Sequence, residues 1–278
     1  MKFPRAREVK SMLEIARYES SRRVKGAVAL AVLLGVMSIL FVALFPSIKS
    51  SGANIDAYWN NLPPAMKAAF GASGAGFSLT TMEGFLAVEL YQFFWLLLLG
   101  VYVAYLAGSL IAGDVERDRM DVLLATPVSR SKVLVEKFAS LLPTLVILNV
   151  IVGIVVYGSV VAVGESVSVS DLAVVHLLSI PYLLACGGIG LLLSVLFDRE
   201  DIAQRGGLGA VFALFLLNSV GESADMGWLG ALSPMHYYDP TAILVSGSYD
   251  WTGAGILLVG IAALVSVSLV IFQRKDIA

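Results

Sequence analysis

The side chains able to do chemistry are concentrated in one stretch, Asp114–Lys137, which holds five acidic and five basic residues. Within it Asp114/Arg117 and Arg117/Asp121 are spaced for same-face ion pairs, while Met120, Leu123 and Leu124 fall at i, i+3 and i+4. That pattern predicts a short amphipathic helix, built to dock on another surface rather than to make or break bonds. Catalytic groups are not gathered in the same way. His176, His236 and Cys186 lie on separate segments without metal-ligand spacing, so no metal site is expected. No Gly-x-Ser-x-Gly elbow occurs, and no catalytic residue is assigned. None of the eight lysines follows a glycine, which excludes the Gly-Lys-[Ser/Thr] core of a phosphate-binding loop. The clusters Gly71–Gly76, Gly187–Gly190 and Gly206–Gly209 are read as packing or bending sites.

The elements that must position this loop are membrane helices. The chain has 278 residues, 58% of them hydrophobic and 14% charged, against about 25% charged in an ordinary soluble protein. Its mean hydropathy is +0.84. The single cysteine cannot form an intrachain disulfide, and a net charge of −2 gives no basic field for nucleic acid. Ten charges together cannot sit at mid-bilayer, so the Asp114–Lys137 loop interrupts two spans.

In chain order, residues 1–25 carry eight basic residues, with Val9, Met12, Leu13 and Ala16 at helical spacing. This predicts an amphipathic helix on the membrane surface, followed by an uncleaved first span at about 26–48. Residues 49–89 mix turn signals with aromatic residues and form an excursion outside the bilayer. Further spans are expected at about 90–113, 138–164, 172–197, 206–221 and 251–273. The fifth has only 16 uncharged residues, about 24 Å of helix against a core of roughly 30 Å. Residues 222–250 are too apolar for a solvated loop and too broken for a span, so a re-entrant or interfacial segment is expected before the last helix. The architecture is therefore all-α and polytopic, with six transmembrane helices. Gly100, Ala104, Gly108 and Ala112 at four-residue spacing mark a close-packing face, either a dimer seam or a contact within one subunit.

Of 19 Lys and Arg residues, 17 fall in 1–25, 114–137, 198–205 and 274–278, all on one side of a six-span topology. The positive-inside rule makes that side, with both termini and the charged loop, cytoplasmic in a plasma membrane. Glu89, Gln92, Asn149 and Asn218 are the intramembrane polar groups, and hence candidates for a translocation path. Each has a plainer alternative, a hydrogen bond to a neighbouring helix.

Asp114-x-Glu116, Met120-Asp121-Val122-Leu123-Leu124, Pro127-Val128-Ser129-Arg130 and Lys137 resemble the cytoplasmic signature of ABC-2 type permeases. In that family the stretch reads approximately Glu-x-Glu-x-Gly-Thr-Leu-Glu-x-Leu-Leu-x-x-Pro-Val-Ser-Arg. Ser233-Pro234, Tyr237-Tyr238-Asp239-Pro240 and the closing Phe272-x-Arg274-Lys275-Asp276-Ile277 extend the likeness. Asp118-Arg119 departs from the usual Gly-Thr, and Met120-Asp121 from Leu-Glu. The resemblance implies an exporter permease that pairs with a second copy and two ATP-binding cassette ATPase subunits. ATP and Mg would be bound by those partners, with no cofactor in this chain. It also implies that Glu116, Met120, Asp121, Leu123, Leu124, Pro127 and Arg130 contact the ATPase. Pro127 is expected to end the short helix and Ser129 to cap the next one. The 1–25 helix would be an elbow beside the ATPase, the six-helix domain would span 26–278, and lipid would surround it. A hydrophobic or amphipathic cargo such as a drug, lipid or peptide fits the few intramembrane charges. A passive membrane anchor and an intramembrane enzyme are the rival classes.

Overall fold

The structure is a computed structural model that describes residues 14–50, 77–125, 128–223 and 226–275, with positions 55, 57, 59, 61–63, 66 and 67. Every regular element among them is helical. In chain order these are α1 (Glu14–Ser50), α2 (Met82–Leu86), a π-helical segment (Ala87–Leu99), α3 (Gly100–Gly108), α4 (Ala112–Val115), α5 (Arg119–Leu124), α6 (Arg130–Ala139), α7 (Leu141–Ala162), α8 (Val169–Leu196), α9 (Glu200–Ser223), α10 (Gly227–Gly230), a 3-10 turn (Pro234–Tyr237), α11 (Pro240–Ser246) and α12 (Trp251–Arg274).

Among the described residues, five stretches are long and apolar enough to cross a membrane: Glu14–Ser50, Met82–Val115, Arg130–Ala162, Val169–Leu196 and Trp251–Arg274. The sixth expected span coincides with α9. It has 24 residues, with an uncharged run bracketed by Arg205 and Glu222, and is not among those five. Expected boundaries also shift. Residues 14–25, assigned from sequence to a separate surface helix, continue without a break into the first span as one 37-residue helix. Residues 1–13 lie outside the described residues.

Burial sorts the spans into a centre and a periphery. The most apolar windows of Met82–Val115 and Val169–Leu196 are 61% buried within the chain, against 33% for the first and third spans and 22% for the last. The central helix α8 packs on α3, α7, α9 and α12, and α1 lies along α7. The four-residue small stripe is what allows this closeness. A Cβ on Gly190 of α8 would stand 2.1 Å from the Ala104 carbonyl oxygen, and one on Gly207 of α9 would stand 2.9 Å from the same atom. Gly108 meets the α9 backbone at Gln204, where a Cβ would lie 2.8 Å from Cα. The stripe is thus spent on joining α3, α8 and α9 within one subunit.

Residues before the last helix fold into short pieces that pack onto this bundle. Met235, Tyr238, Ile243 and Leu244 are buried. The Tyr238 hydroxyl donates to the Val175 carbonyl at 3.0 Å, and the Tyr238 ring stacks on Tyr182 at 5.3 Å.

Candidate functional site

The Asp114–Lys137 stretch folds as four parts: the end of α4, a turn, α5, and α6 beyond residues 126–127. The turn is set at Asp118, whose φ of 54° places it in the left-handed region. That backbone favours glycine, and Asp is among the few other residues that tolerate it. The position is the one where the resembling pattern carries glycine, so the departure keeps the turn. α5 has only six residues, Arg119–Leu124. Ser129 caps α6 as expected, its Oγ accepting from the Lys132 N–H at 3.2 Å. Pro127 lies outside the described residues.

The face of α5 that meets the rest of the chain is the very one expected to meet a partner. Met120 is fully buried, in a cluster with Leu110, Ile111, Leu134, Phe138 and Phe272. Leu123 and Leu124 are part-buried and pack against the same cluster. Met120 is therefore an anchor for α5, and its side chain is not presented outward. The outward apolar residue is Val122, 72% exposed, with Asp121 and Ala125 exposed beside it. The i, i+3, i+4 stripe read from the sequence seats the helix on its own bundle, and periodicity gave no signal for the exposed Val122.

The charged residues around α5 act mainly on helix ends. Glu116 Oε2 accepts from the Glu200 N–H at 2.8 Å, at the start of α9. Arg130 Nη1 donates to the Phe272 and Lys275 carbonyls at 3.0 and 2.5 Å, at the end of α12, with its guanidinium 5.8 Å above the Phe272 ring. Glu136 Oε2 accepts from the Ile15 and Ala16 N–H groups of α1 at 2.9 and 3.2 Å. Lys275 Nζ donates to the Val195 and Phe197 carbonyls at the end of α8, at 2.7 and 3.3 Å. In each case an acid meets a helix start and a base meets a helix end, the arrangement that satisfies orphan backbone groups and complements the helix dipole. Glu116 and Arg130 are thus tied into their own chain. Lys137, 3% exposed, binds Asp114 Oδ2 at 2.5 Å and Glu19 Oε1 at 3.3 Å. Arg119 joins Asp114 at 3.0 Å, and Arg117 pairs with Glu200.

A second constellation lies midway along α7 and α8. Asn149 Nδ2 donates to the Leu145 carbonyl at 2.9 Å, which leaves Oδ1 as acceptor. His176 Nδ1 stands 3.0 Å from that oxygen, and Ser179 Oγ donates to it at 2.8 Å. His176 Nε2 is 2.9 Å from the Tyr91 hydroxyl. The chain of bonds fixes the Nδ1–H tautomer, with Tyr91 donating to Nε2. Both ring nitrogens are occupied, and Ser179 faces Asn149, so no nucleophile is presented to the histidine. Asn149 and His176 form the floor of an otherwise apolar groove of about 460 Å³ between α7 and α8, edged by Val150, Ile154, Tyr157 and Leu177.

Of the four expected path residues, only Asn149 belongs to this cluster. Glu89 and Gln92 sit on the π-helical segment with Tyr91, Gln92 buried and Glu89 part-exposed. Asn218 lies elsewhere, its Oδ1 against Gly230 near His236. The segment's wide coil is itself a finding, since π-helix is rare and concentrates at functional sites. Where it narrows at Leu99, the Tyr182 hydroxyl donates to the Leu96 carbonyl at 2.8 Å. Among the described residues no group of three His, Cys, Asp or Glu side chains is arranged to hold a metal ion.

Comparison with known proteins gives one family. A family model described as ABC-2 family transporter protein matches residues 13–277. A search of curated proteins finds no match.

Proposed function

Since the chain belongs to the ABC-2 family of transporter proteins, we propose that it is the membrane-spanning permease of an ATP-driven exporter, working as a dimer with two separate ATPase subunits. The carrying observation is α5, a short helix held outward by buried Met120 and offering Val122, Asp121 and Ala125 to a partner. Leu123 and Leu124 line its edge, while Glu116 and Arg130 keep the surrounding helix ends in register, so that a push on α5 reaches α9 and α12. The lack of a Gly-Lys motif in this chain supports an outside source of ATP hydrolysis.

α9 is the sixth crossing in this reading. Its uncharged residues 206–221 span only about 24 Å, so the bilayer thins around α9 while the charged start at Glu200–Arg205 stays in the headgroups. Both termini and α5 are then cytoplasmic in a plasma membrane. The apolar groove over Asn149 and His176 favours a hydrophobic or amphipathic cargo. Thiol labelling of intact cells tests the arrangement, because Cys186 is buried. Ser166→Cys should react with an impermeant reagent from outside, and Asp118→Cys only after lysis. The reverse pattern would sink the topology. Val122→Cys should cross-link to the ATPase in membranes; cross-linking from Ser166→Cys instead would move the docking site.

A further inference from the structure

The loop end of the bundle contains a polar cavity that helix-end clamping does not use. Its main lobe, about 420 Å³, lies between the start of α1 and the α3–α5 turn, and is lined by five cations and three carboxylates. The carboxylates are engaged: Asp114 by Lys137 and Arg119, Glu19 by Lys137, Glu200 by Arg117. Two cations are left with little compensation. Arg22 is exposed and only stands 5.8 Å over the Tyr18 ring. Arg23 reaches Glu19 at 3.7 Å through Nη2, while its buried Nη1 has no hydrogen-bond partner among the described residues. A buried donor left unmade is costly, so such a group marks a place where an acceptor fits.

We infer that this cavity binds an anionic phosphate, held by Arg22 and Arg23. The bidentate fork of Arg suits phosphate oxygens, and Nη1 of Arg23 is the donor already buried at the wall. Two features favour the phosphate of a membrane lipid over a free one. Arg22 and Arg23 lie three to four residues before Gly26, where the uncharged run of α1 begins, which is the level of the headgroups. An adjoining lobe of about 320 Å³ shares Arg22, Arg119 and Lys137 and adds apolar Ile15, Tyr18 and Leu123. That lobe also brings Glu14, and the joint cavity keeps one net positive charge. A headgroup seated here touches both α1 and Arg119 of α5.

The test uses the full chain, purified and reconstituted in phosphatidylcholine nanodiscs. Exchanging a fraction of the lipid for phosphatidylglycerol should raise the apparent Tm by several degrees. The shift should disappear in Arg22→Gln/Arg23→Gln and persist in Arg205→Gln, a cation at the same end but outside the cavity. If millimolar inorganic phosphate in phosphatidylcholine nanodiscs reproduces the shift, the site takes the free anion. If parent and double variant respond alike to phosphatidylglycerol, or neither probe moves the parent, the inference is overturned. Should the double variant fail to fold, Arg22→Gln alone decides, since Arg22 is exposed; an undiminished shift there overturns it too. The readout needs no ATPase, so it stands or falls apart from the export reading.

Discussion

At the loop end of the bundle, charged side chains from distant positions each bind a helix terminus, whereas midway along α7 and α8 the polar groups are neutral and bind one another. Glu116, Glu136, Arg130 and Lys275 act as single-ended clamps, each closing a gap between two segments. Tyr91, His176, Asn149 and Ser179 form a closed chain with both imidazole nitrogens engaged. The difference follows from solvent. Near water a charge keeps part of its hydration while it offsets a helix dipole; between spans an ion would lose that hydration, and neutral donors and acceptors suffice. The loop end is therefore a place where a partner can alter pairing, and the middle is a place where a groove can be shaped.

The sharpest break in this contrast is Lys137→Met. It leaves Asp114 and Glu19 facing each other around an apolar side chain, and breaking a buried pair costs about 3–5 kcal/mol. Thermal unfolding of the purified protein should show the largest loss among these variants, and a drop no greater than that of Asn149→Ala would contradict the weight given to the buried Lys137 ion pairs. Asn149→Ala should cost less, about 1–2 kcal/mol, because membrane hydrogen bonds are individually modest: His176 loses an acceptor, while the Ser179 hydroxyl keeps the His176 carbonyl at 2.8 Å. A change in hydrophobic-ligand binding beyond that of a remote Leu→Ala control would tie the cluster to the groove above it. Asp118→Gly should act in the opposite direction, raising stability by up to about 1 kcal/mol as the left-handed backbone at φ 54° is relieved. A loss on that change would mean the Asp118 carboxylate has a role the turn does not explain.

Much of the fold was legible because long uncharged runs and charge interruptions are one-dimensional signals. Helix ends were less so: the 37-residue α1 absorbed positions 14–25, since their basic residues lie on a helix that simply continues into the apolar run. The count of crossings hinges on α9, where Arg205 and Glu222 sit close to the ends and composition alone does not decide. At the loop, the spacing of Met120, Leu123 and Leu124 correctly announced an amphipathic helix but not which body its apolar side would meet. Both a partner ATPase and the chain's own Leu134 and Phe272 satisfy that periodicity. Asn149 was legible as a polar residue in a span, yet its partners His176 and Ser179 are 27 and 30 residues away on another helix and carried no local signal.

The central claim is that α5 docks through Val122 while Met120 holds it from within. Val122 is 72% exposed, so Val122→Asp should leave the unfolding midpoint within the equivalent of about 0.5 kcal/mol of the parent. The decisive measurement is co-purification of Val122→Asp with the ATPase subunits and the ATP hydrolysis of the resulting complex. The account predicts a stably folded permease that loses the ATPase and its stimulated hydrolysis; a variant that retains the ATPase and hydrolyses ATP like the parent would contradict it.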